Sequence, residues 1–376
     1  MSRPTVVLTM IVKDESHVLE RCVTGVAPLI DAWCIVDTGS TDGTQQLAQR
    51  LLGHLPGQVV DVPWRDFAYN RSRALELARP FGDYSLMIDA DVQCVIDPAI
   101  DPVELRASLT ADVYDIELRD VTIEYVRPLL TSTRLPLAYR GVLHEFLDVP
   151  TEATRGGTLP GVRYHSFYDG ARSRNPRKFV DDAELLERTL ASGDDPDLVP
   201  RYTFYLAQSY RDAGFDEQAA AAYARRAEMT EGWIEEAYVA WRWCGQLWER
   251  LGRPLVDVLD AYTRAFDLVP TRAETLCLAA TAARGAGRMP LAYLYARAGV
   301  DVARPDNGLF VEHAVYDWRL RYELSVAAWY VKRHDEGLTA SRAVLANPRI
   351  PDEIRSSVHD NLRFYAAADD GAEHRG

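Results

Sequence analysis

Four short apolar runs, separated by stretches of helical periodicity, restrict this chain more than any other feature. VVLTMIV (6–12) precedes an amphipathic stretch from Glu15 to about Ala27. WCIVDTG (33–39) precedes TQQLAQRLL, QVVDVPW (58–64) precedes FAYNRSRALELA, and YSLMIDAD (84–91) closes the series. This βαβαβαβ order predicts a mostly parallel sheet with helices on both faces. Such sheets bind ligands beyond the carboxyl ends of their strands. Asp37 and the pair Asp89/Asp91 fall at those ends, so the pattern brings them toward one crevice. From about 112 to 150 the segments VYDIELRD, VTIEYVRPLL, LPLAYRG and VLHEFLDV read as shorter strands with turns between them, an antiparallel or mixed extension of the sheet.

After Asn175 the chain turns almost wholly helical. FYLAQSYRDAGFDEQAAAAYARRAE (204–228) spaces Leu206, Ala207, Tyr210, Gly214, Ala219 and Tyr223 as a tetratricopeptide unit does, with small residues where paired helices touch and aromatics between them. Later segments, including LGRPLVDVLDAYTRAFDLVP and KRHDEGLTASRAVLANP, repeat it loosely. The competing reading is an irregular helical bundle. Tyr202, Tyr205, Trp233, Trp241 and Trp243 are expected in the core of this half rather than along a peptide groove.

With 376 residues the chain is long enough for two cores. A formal charge of −14 argues against a nucleic-acid partner, because phosphate binding needs a basic face. No stretch approaches the ~18 apolar residues of a membrane span. The N-terminal apolar run reads as a first strand rather than a signal peptide. Five scattered cysteines without CxxC spacing fit reduced thiols in a cytoplasmic protein.

DTGSTDGT (37–44) joins a strand end to a helix, and a capped turn accounts for its Ser, Thr and Asp. It is no EF-hand, since Asp42 and Ala48 stand where Gly and Glu are needed. Nor is it a P-loop, since GxxxxGK[ST] is absent. A carboxylate at this strand end is placed to accept hydrogen bonds from a nucleobase or ribose. The DxD pair Asp89/Asp91 offers hard oxygen ligands to Mg²⁺ or Mn²⁺, which bridge carboxylates to a diphosphate. Gln93 stands where a phosphatase motif would place Thr.

In their order, TMIVKDE, CIVDTGSTDGT, DFAYNRSRALELA and SLMIDADV resemble the nucleotide-sugar half of a GT-A fold, family 2 glycosyltransferase. More closely, the chain resembles bacterial glycosyltransferases with a C-terminal tetratricopeptide region, among them peptide S-glycosyltransferases and enzymes of lipopolysaccharide cores. YRGVLHEFL (139–147) is similar to their GxxHE segment, and VRYHSFYDG (162–170) to their following histidine motif. The resemblance implies a Rossmann-like GT-A domain over 1–170 and an all-α tetratricopeptide-like domain over 171–376.

It also implies residue roles. Thr9, Ile11 and Val12 would line the nucleotide cleft through their backbone. Asp37 would meet the nucleobase or ribose, and Arg71 the base or diphosphate. Ser72 departs from the Asn usual beside that arginine. Asp89 would face the sugar or ribose and share the metal with Asp91, the main ligand, and His165 would complete the site. Glu145 is the expected base toward the acceptor, and His144 would position the reactants. The basic stretch Arg163, Arg172, Arg174, Arg177 and Lys178, with Gly170, would draw in a diphosphate or simply link the domains. The function expected is metal-dependent, inverting transfer of a sugar, from a UDP-linked or other nucleoside-diphosphate donor, to a peptide, protein or glycan, by an enzyme that pairs as a homodimer. The alternative is a peptide-binding tetratricopeptide scaffold carrying a silent transferase-like domain.

Overall fold

The computed structural model describes residues 3–119 and 124–373. Residues 121–123, the start of the expected strand VTIEYVRPLL, lie outside them. The chain forms two compact units, Met1–Leu185 and Leu186–Gly376.

In the first unit the elements β1 (Val6–Val12), α1 (Leu19–Val26), β2 (Ala32–Asp37), α2 (Thr44–Leu52), β3 (Gly57–Asp61), α3 (Phe67–Ala78) and β4 (Tyr84–Met87) follow the expected alternation. Then come β5 (Val92–Ile96), α4 (Pro102–Ala107), β6 (Val113–Arg119), β7 (Glu124–Ser132), β8 (Ala138–Arg140), β9 (Phe146–Asp148) and β10 (Arg155–Ser166). Helix α5 (Lys178–Ser192) crosses the division between the units. The main sheet runs β3-β2-β1-β4-β7-β6-β10-β5. Strands β3, β2, β1 and β4 are parallel. β7 runs antiparallel between β4 and β6, β10 is parallel to β6, and β5 closes the edge antiparallel to β10. The expected mixed extension is therefore present, and β8 and β9 form a separate hairpin.

Central strands covered on both faces need apolar residues at every position, and β2 (AWCIVD) is buried throughout. The same demand explains where β4 stops. The apolar run 84–91 suggests a strand reaching the carboxylates, but the strand ends at Met87. The Ile88 N–H still donates to the Thr9 carbonyl at 3.3 Å, and then the Asp89 carbonyl accepts from the Val92 N–H at 3.1 Å. Asp89 and Asp91 thus occupy a turn just beyond the buried sheet, where charge remains in reach of solvent.

The second unit is helical: α6 (Val199–Asp212), α7 (Asp216–Ala227), α8 (Ile234–Arg250), α9 (Leu255–Leu268), α10 (Glu274–Gly285), α11 (Met289–Gly299), α12 (Leu320–Tyr330), α13 (His334–Ala346) and α14 (Asp352–Glu373). A π-helical turn, Val315–Arg319, leads into α12. The hairpins α6/α7, α8/α9, α10/α11 and α12/α13 share one turn. Gly214, Gly252, Gly287 and Lys332 hold positive φ (82°, 70°, 71° and 61°). The next residue in each case donates its N–H to a carbonyl five positions back: Phe215 to Tyr210, Arg253 to Trp248, Arg288 to Ala283 and Arg333 to Ala328, at 2.8–2.9 Å. This is the Schellman closure, repeated four times. The loose sequence repeat is therefore a regular structural one of tetratricopeptide-like helix pairs.

Small residues let the paired helices approach. Tyr202 and Trp241 are buried, Tyr205 and Trp243 pack partly buried against the same core as Ala207 and Tyr223, and only Trp233 of the five aromatics stands exposed. All five cysteines are buried and free. Among the described residues no helix is long and apolar enough to cross a membrane. On α8, a Cβ at Gly245 would lie 2.5 Å from the Tyr262 ring of α9. Gly245→Val should therefore lower unfolding stability by about 1–3 kcal/mol through overpacking, with helix content unchanged, as read by chemical denaturation followed by circular dichroism.

Candidate functional site

The turns after β1 and β2 are zipped together by reciprocal side chain to backbone bonds. The Asp14 N–H donates to Ser40 Oγ (2.9 Å), and the Thr41 N–H donates to Asp14 Oδ1 (2.7 Å). Likewise Glu15 N–H meets Thr44 Oγ1 (2.9 Å), and Ser16 N–H meets Asp42 Oδ2 (2.9 Å). Burial opposes the charge on Asp42, but donors from Thr44 and Ser16 outweigh it and bring its carboxyl down to about 2. The sequence motifs KDES and STDGT are thus two halves of one structure.

Asp37, fully buried at the end of β2, accepts from the Gly39 and Ser40 N–H groups through Oδ1 (2.8 and 2.7 Å). Gly39, at φ 110°, permits that tight turn. Asp37 Oδ2 is buried with no hydrogen-bond partner among the described residues. An orphaned buried acceptor is costly, and a ligand N–H or O–H is the group that would satisfy it.

Arg71, buried on α3, lies between two carboxylates. Its Nη2 is 2.6 Å from Asp89 Oδ1 and its Nε is 2.7 Å from Glu145 Oε1. Burial works against the guanidinium charge, but the fields of Asp89 and Glu145 more than restore it. Asp89 in turn is held below the usual carboxylate range. Burial pushes it up, and the adjacent Arg71 charge outweighs that. Asp89 is walled by protein yet 41% of its side chain reaches solvent, as suits a group on the floor of an open cleft. Ser72, next to Arg71, accepts from the Tyr139 N–H at 2.8 Å and lies 3.4 Å from its carbonyl, so it pins α3 to β8. The serine that departs from the family pattern therefore has a structural task. The Phe67 N–H donates to the Val142 carbonyl (3.4 Å), tying the start of α3 to the bend that carries His144 and Glu145.

Among the described residues no cation forms an ion pair with the Asp91 side chain, and Arg21 acts on it from the Asp91 carbonyl, to which it donates (3.2 Å). Burial, and then the charge of Asp89, raise the Asp91 carboxyl above the usual range. Glu15 lies beside it: burial is the largest cause of a rise to about 7, and Asp91 and Asp89 add to it. Gly170 separates the two carboxylates, and a Cβ there would sit 3.2 Å from both Asp91 Oδ2 and Glu15 Oε1. The Ala171 N–H donates to Glu15 (3.2 and 3.3 Å). Segment 167–171 is further fixed by the Arg21–Asp169 ion pair (2.6 Å), by the Phe167 N–H on the Asp91 carbonyl (3.3 Å), and by Arg21 over the Phe167 ring (4.1 Å).

The structure thus brings Asp89, Arg71 and Glu145 together and sets Asp91 beside them. Val12 lies in register with Asp37, while Ile11 is half-buried. Thr9 is fully buried inside the sheet, its hydroxyl engaged by Ser85 Oγ (2.7 Å) and the Val7 carbonyl (3.3 Å). His144 is exposed beside Glu145 with φ 50°. His165 sits on β10 opposite Gln93 of β5 and Arg119 of β6. Among the described residues no group of three or more His, Cys, Asp or Glu side chains is placed to enclose a metal ion, so His165 does not join Asp89 and Asp91 in one. Glu15 is the residue that sequence reasoning passed over. Its signal was its place in TMIVKDE, but only the fold reveals that its partner is the segment 170–171.

Residues 8–106 match the family described as Glycosyl transferase family 2. A TPR repeat-containing protein of Synechococcus elongatus is 33% identical over 103 residues, which is 27% of this chain and 23% of that relative's length. The chain therefore spans about a quarter of the curated relative that it matches. Solved structures of MamA (14% identity, TM-score 0.36, covering 48% of this chain and 95% of that one) and of YrrB, a TPR protein (15%, 0.38, 50% and 85%), are also similar to it.

Two outcomes follow from the charges. Arg71→Met leaves Asp89 and Glu145 with Arg127, 4.0 Å from Glu145, as the remaining cation nearby among the described residues and should cost about 3 kcal/mol of stability at neutral pH, measured by denaturant titration. Glu15 sets a pH dependence. Its folded-state carboxyl titrates near 7 against a reference of 4.5, so between those values the unfolded chain loses the proton first and stability falls as pH rises. Glu15→Gln cannot ionise. Its melting temperature relative to the unmodified protein, in EDTA, should therefore climb from pH 4.5 to pH 7 and then level off.

Proposed function

Since the N-terminal part of this chain carries a glycosyltransferase family 2 domain, we propose that the protein moves a sugar, with inversion, from a nucleoside-diphosphate donor, UDP-linked, to a peptide, protein or glycan acceptor. An acceptor oxygen or sulfur forms the new bond to the anomeric carbon. The bond from that carbon to the diphosphate breaks, and its electron pair leaves with the diphosphate. The acceptor's proton passes to a base, for which Glu145 is the candidate, with His144 orienting the incoming group.

One observation carries the reading: the matched segment 8–106 contains Asp37 at the carboxyl end of β2, Asp89 and Asp91 in the turn just beyond β4, and Arg71 on α3 at 2.6 Å from Asp89. The orphaned Asp37 oxygen suits a donor on the base or ribose. Asp89, neutralised by Arg71, suits the hydroxyls of a ribose or sugar. Asp91, raised by burial and by Asp89 and without an ion pair among the described residues, suits a divalent ion such as Mn²⁺ or Mg²⁺. Such ions are commonly held by one or two carboxylates plus substrate phosphates, which fits a site without three protein ligands. When bound, the ion supplies positive charge against the departing diphosphate.

The test is slow donor hydrolysis. UDP-, GDP- and TDP-sugars are incubated with the protein in Mn²⁺ or EDTA, and released nucleoside diphosphate is measured. Metal-dependent release from one donor is expected, falling on the order of 100-fold in Asp91→Ala, the scale of losing one electrostatic contact to a transition state. Release that survives Asp91→Ala unchanged overturns the assignment.

A further inference from the structure

The connection between α11 and the π-helical turn before α12, residues 300–314, is long for a link between packed helices, and such loops usually serve a purpose beyond joining ends. Its second half touches the π-helical turn and the start of α12, where Val311 packs beside Val315, Tyr316 and Leu320 and Glu312 Oε2 lies 2.8 Å from Arg319 Nη1. It also lies on α8 and on the residues that open α10, where Leu309 packs against the core and the main chain makes a set of hydrogen bonds. Arg272 Nη1 donates to the Leu309 carbonyl (2.8 Å). The Phe310 carbonyl accepts from Arg242 Nη1 (3.2 Å) and Arg272 Nη2 (3.4 Å). In the other direction the Leu309 N–H donates to Glu235 Oε2 (3.1 Å) and the Glu312 N–H to Glu274 Oε1 (3.2 Å). Among the polar side chains of the segment, Glu312 joins in, with Oε1 3.0 Å from Arg242 Nη2.

These side chains are arranged for the purpose. Arg272 is 1% exposed and Glu274 0%, and the Tyr238 and Tyr316 hydroxyls both donate to Glu274 (3.0 and 2.8 Å). A guanidinium has five N–H donors, and buried ones need acceptors. Glu235 and Glu274 take some of Arg272's, and the segment's carbonyls take others. Contacts to consecutive carbonyls and amides read a backbone, whatever its sequence. The segment supplies the conformation required: Gly308 has φ 154°, a Cβ added there would lie 3.2 Å from Glu235 Oε2 and 3.4 Å from Arg272 Nη1, and Phe310 holds φ 53° with the residue 40% exposed.

We infer that residues 308–312 are an internal peptide ligand, seated on a main-chain-reading site formed by Glu235, Arg242, Arg272 and Glu274, and that this site is closed to outside peptides until the segment leaves it. An outside occupant must match the segment: a short turn-forming peptide with a glycine at its start and a carboxylate four residues on, to meet Arg242.

A labelled synthetic peptide copying residues 306–314 (DNGLFVEHA) tests this by fluorescence polarisation against the full chain and two variants altered only in the segment, Gly308→Val and Leu309→Asp. Circular dichroism verifies that each keeps its helices. The variants should bind the peptide at least about tenfold more tightly than the unmodified chain, and adding Arg242→Ala should abolish that gain. Chymotrypsin should cut at Phe310 in the variants at least about tenfold faster than in the unmodified chain, despite the exposed ring. Equal binding by all forms, no binding by both variants, or equally rapid cleavage of the unmodified chain overturns the inference.

Discussion

The first unit depends on one guanidinium. Three elements distant in sequence meet at Arg71: helix α3, the turn after β4 and the bend before β9. Asp89 and Glu145 could not lie so near one another without a cation between them, since like charges at low dielectric repel strongly. The sequence around Arg71 secures its place. Asp66 caps α3 by accepting from the Tyr69 N–H (2.7 Å), and Asn70 closes the preceding loop through the Arg65 N–H (3.0 Å). Ser72 fastens the next turn of the helix to β8. The result is an asymmetric pair of aspartates. Asp89 is held below its usual range by Arg71, whereas Asp91, with Glu15 nearby, is raised by burial and by Asp89.

This asymmetry could not be read from DAD in the sequence, because it is set by partners 18 and 56 residues away. What was legible is whatever local pattern decides. The buried parallel strands need unbroken apolar runs, so β1 was readable to the residue and the βαβ order with it. The end of β4 was less so, because an apolar run does not say where burial stops. Asp37, Asp89 and Asp91 stood out as candidates because strand ends are where such sheets bind ligands. Glu15 was not, because its role depends on a Gly170–Ala171 backbone more than 150 residues on.

The helical unit shows the same division. Its repeat was visible through small residues and aromatics, yet the feature that makes the pairs equivalent is a backbone closure at Gly214, Gly252, Gly287 and Lys332. Lysine adopts a left-handed φ less readily than glycine, so at the fourth hairpin the hydrogen bond and the packing on either side impose the turn that glycine would allow freely. The seating of residues 308–312 was invisible for a different reason. Main-chain groups make many of its hydrogen bonds, and main-chain groups are the same in every sequence.

Charge counting fails in a related way. Five cations between residues 163 and 178 suggest a basic patch in an acidic chain, but most are spent within the fold. Arg163 pairs with Glu117 (3.1 Å), Arg172 with Asp182, and Arg177 with Asp181 and Glu184 (3.2 and 3.1 Å). Arg174 is exposed, forms no ion pair among the described residues, and lies near enough to Glu15 to lower its pKa. The charges that bear on Asp89 come instead from Arg71 and Arg127, far from this stretch in sequence, so a local count of cations says little about the field at the carboxylates.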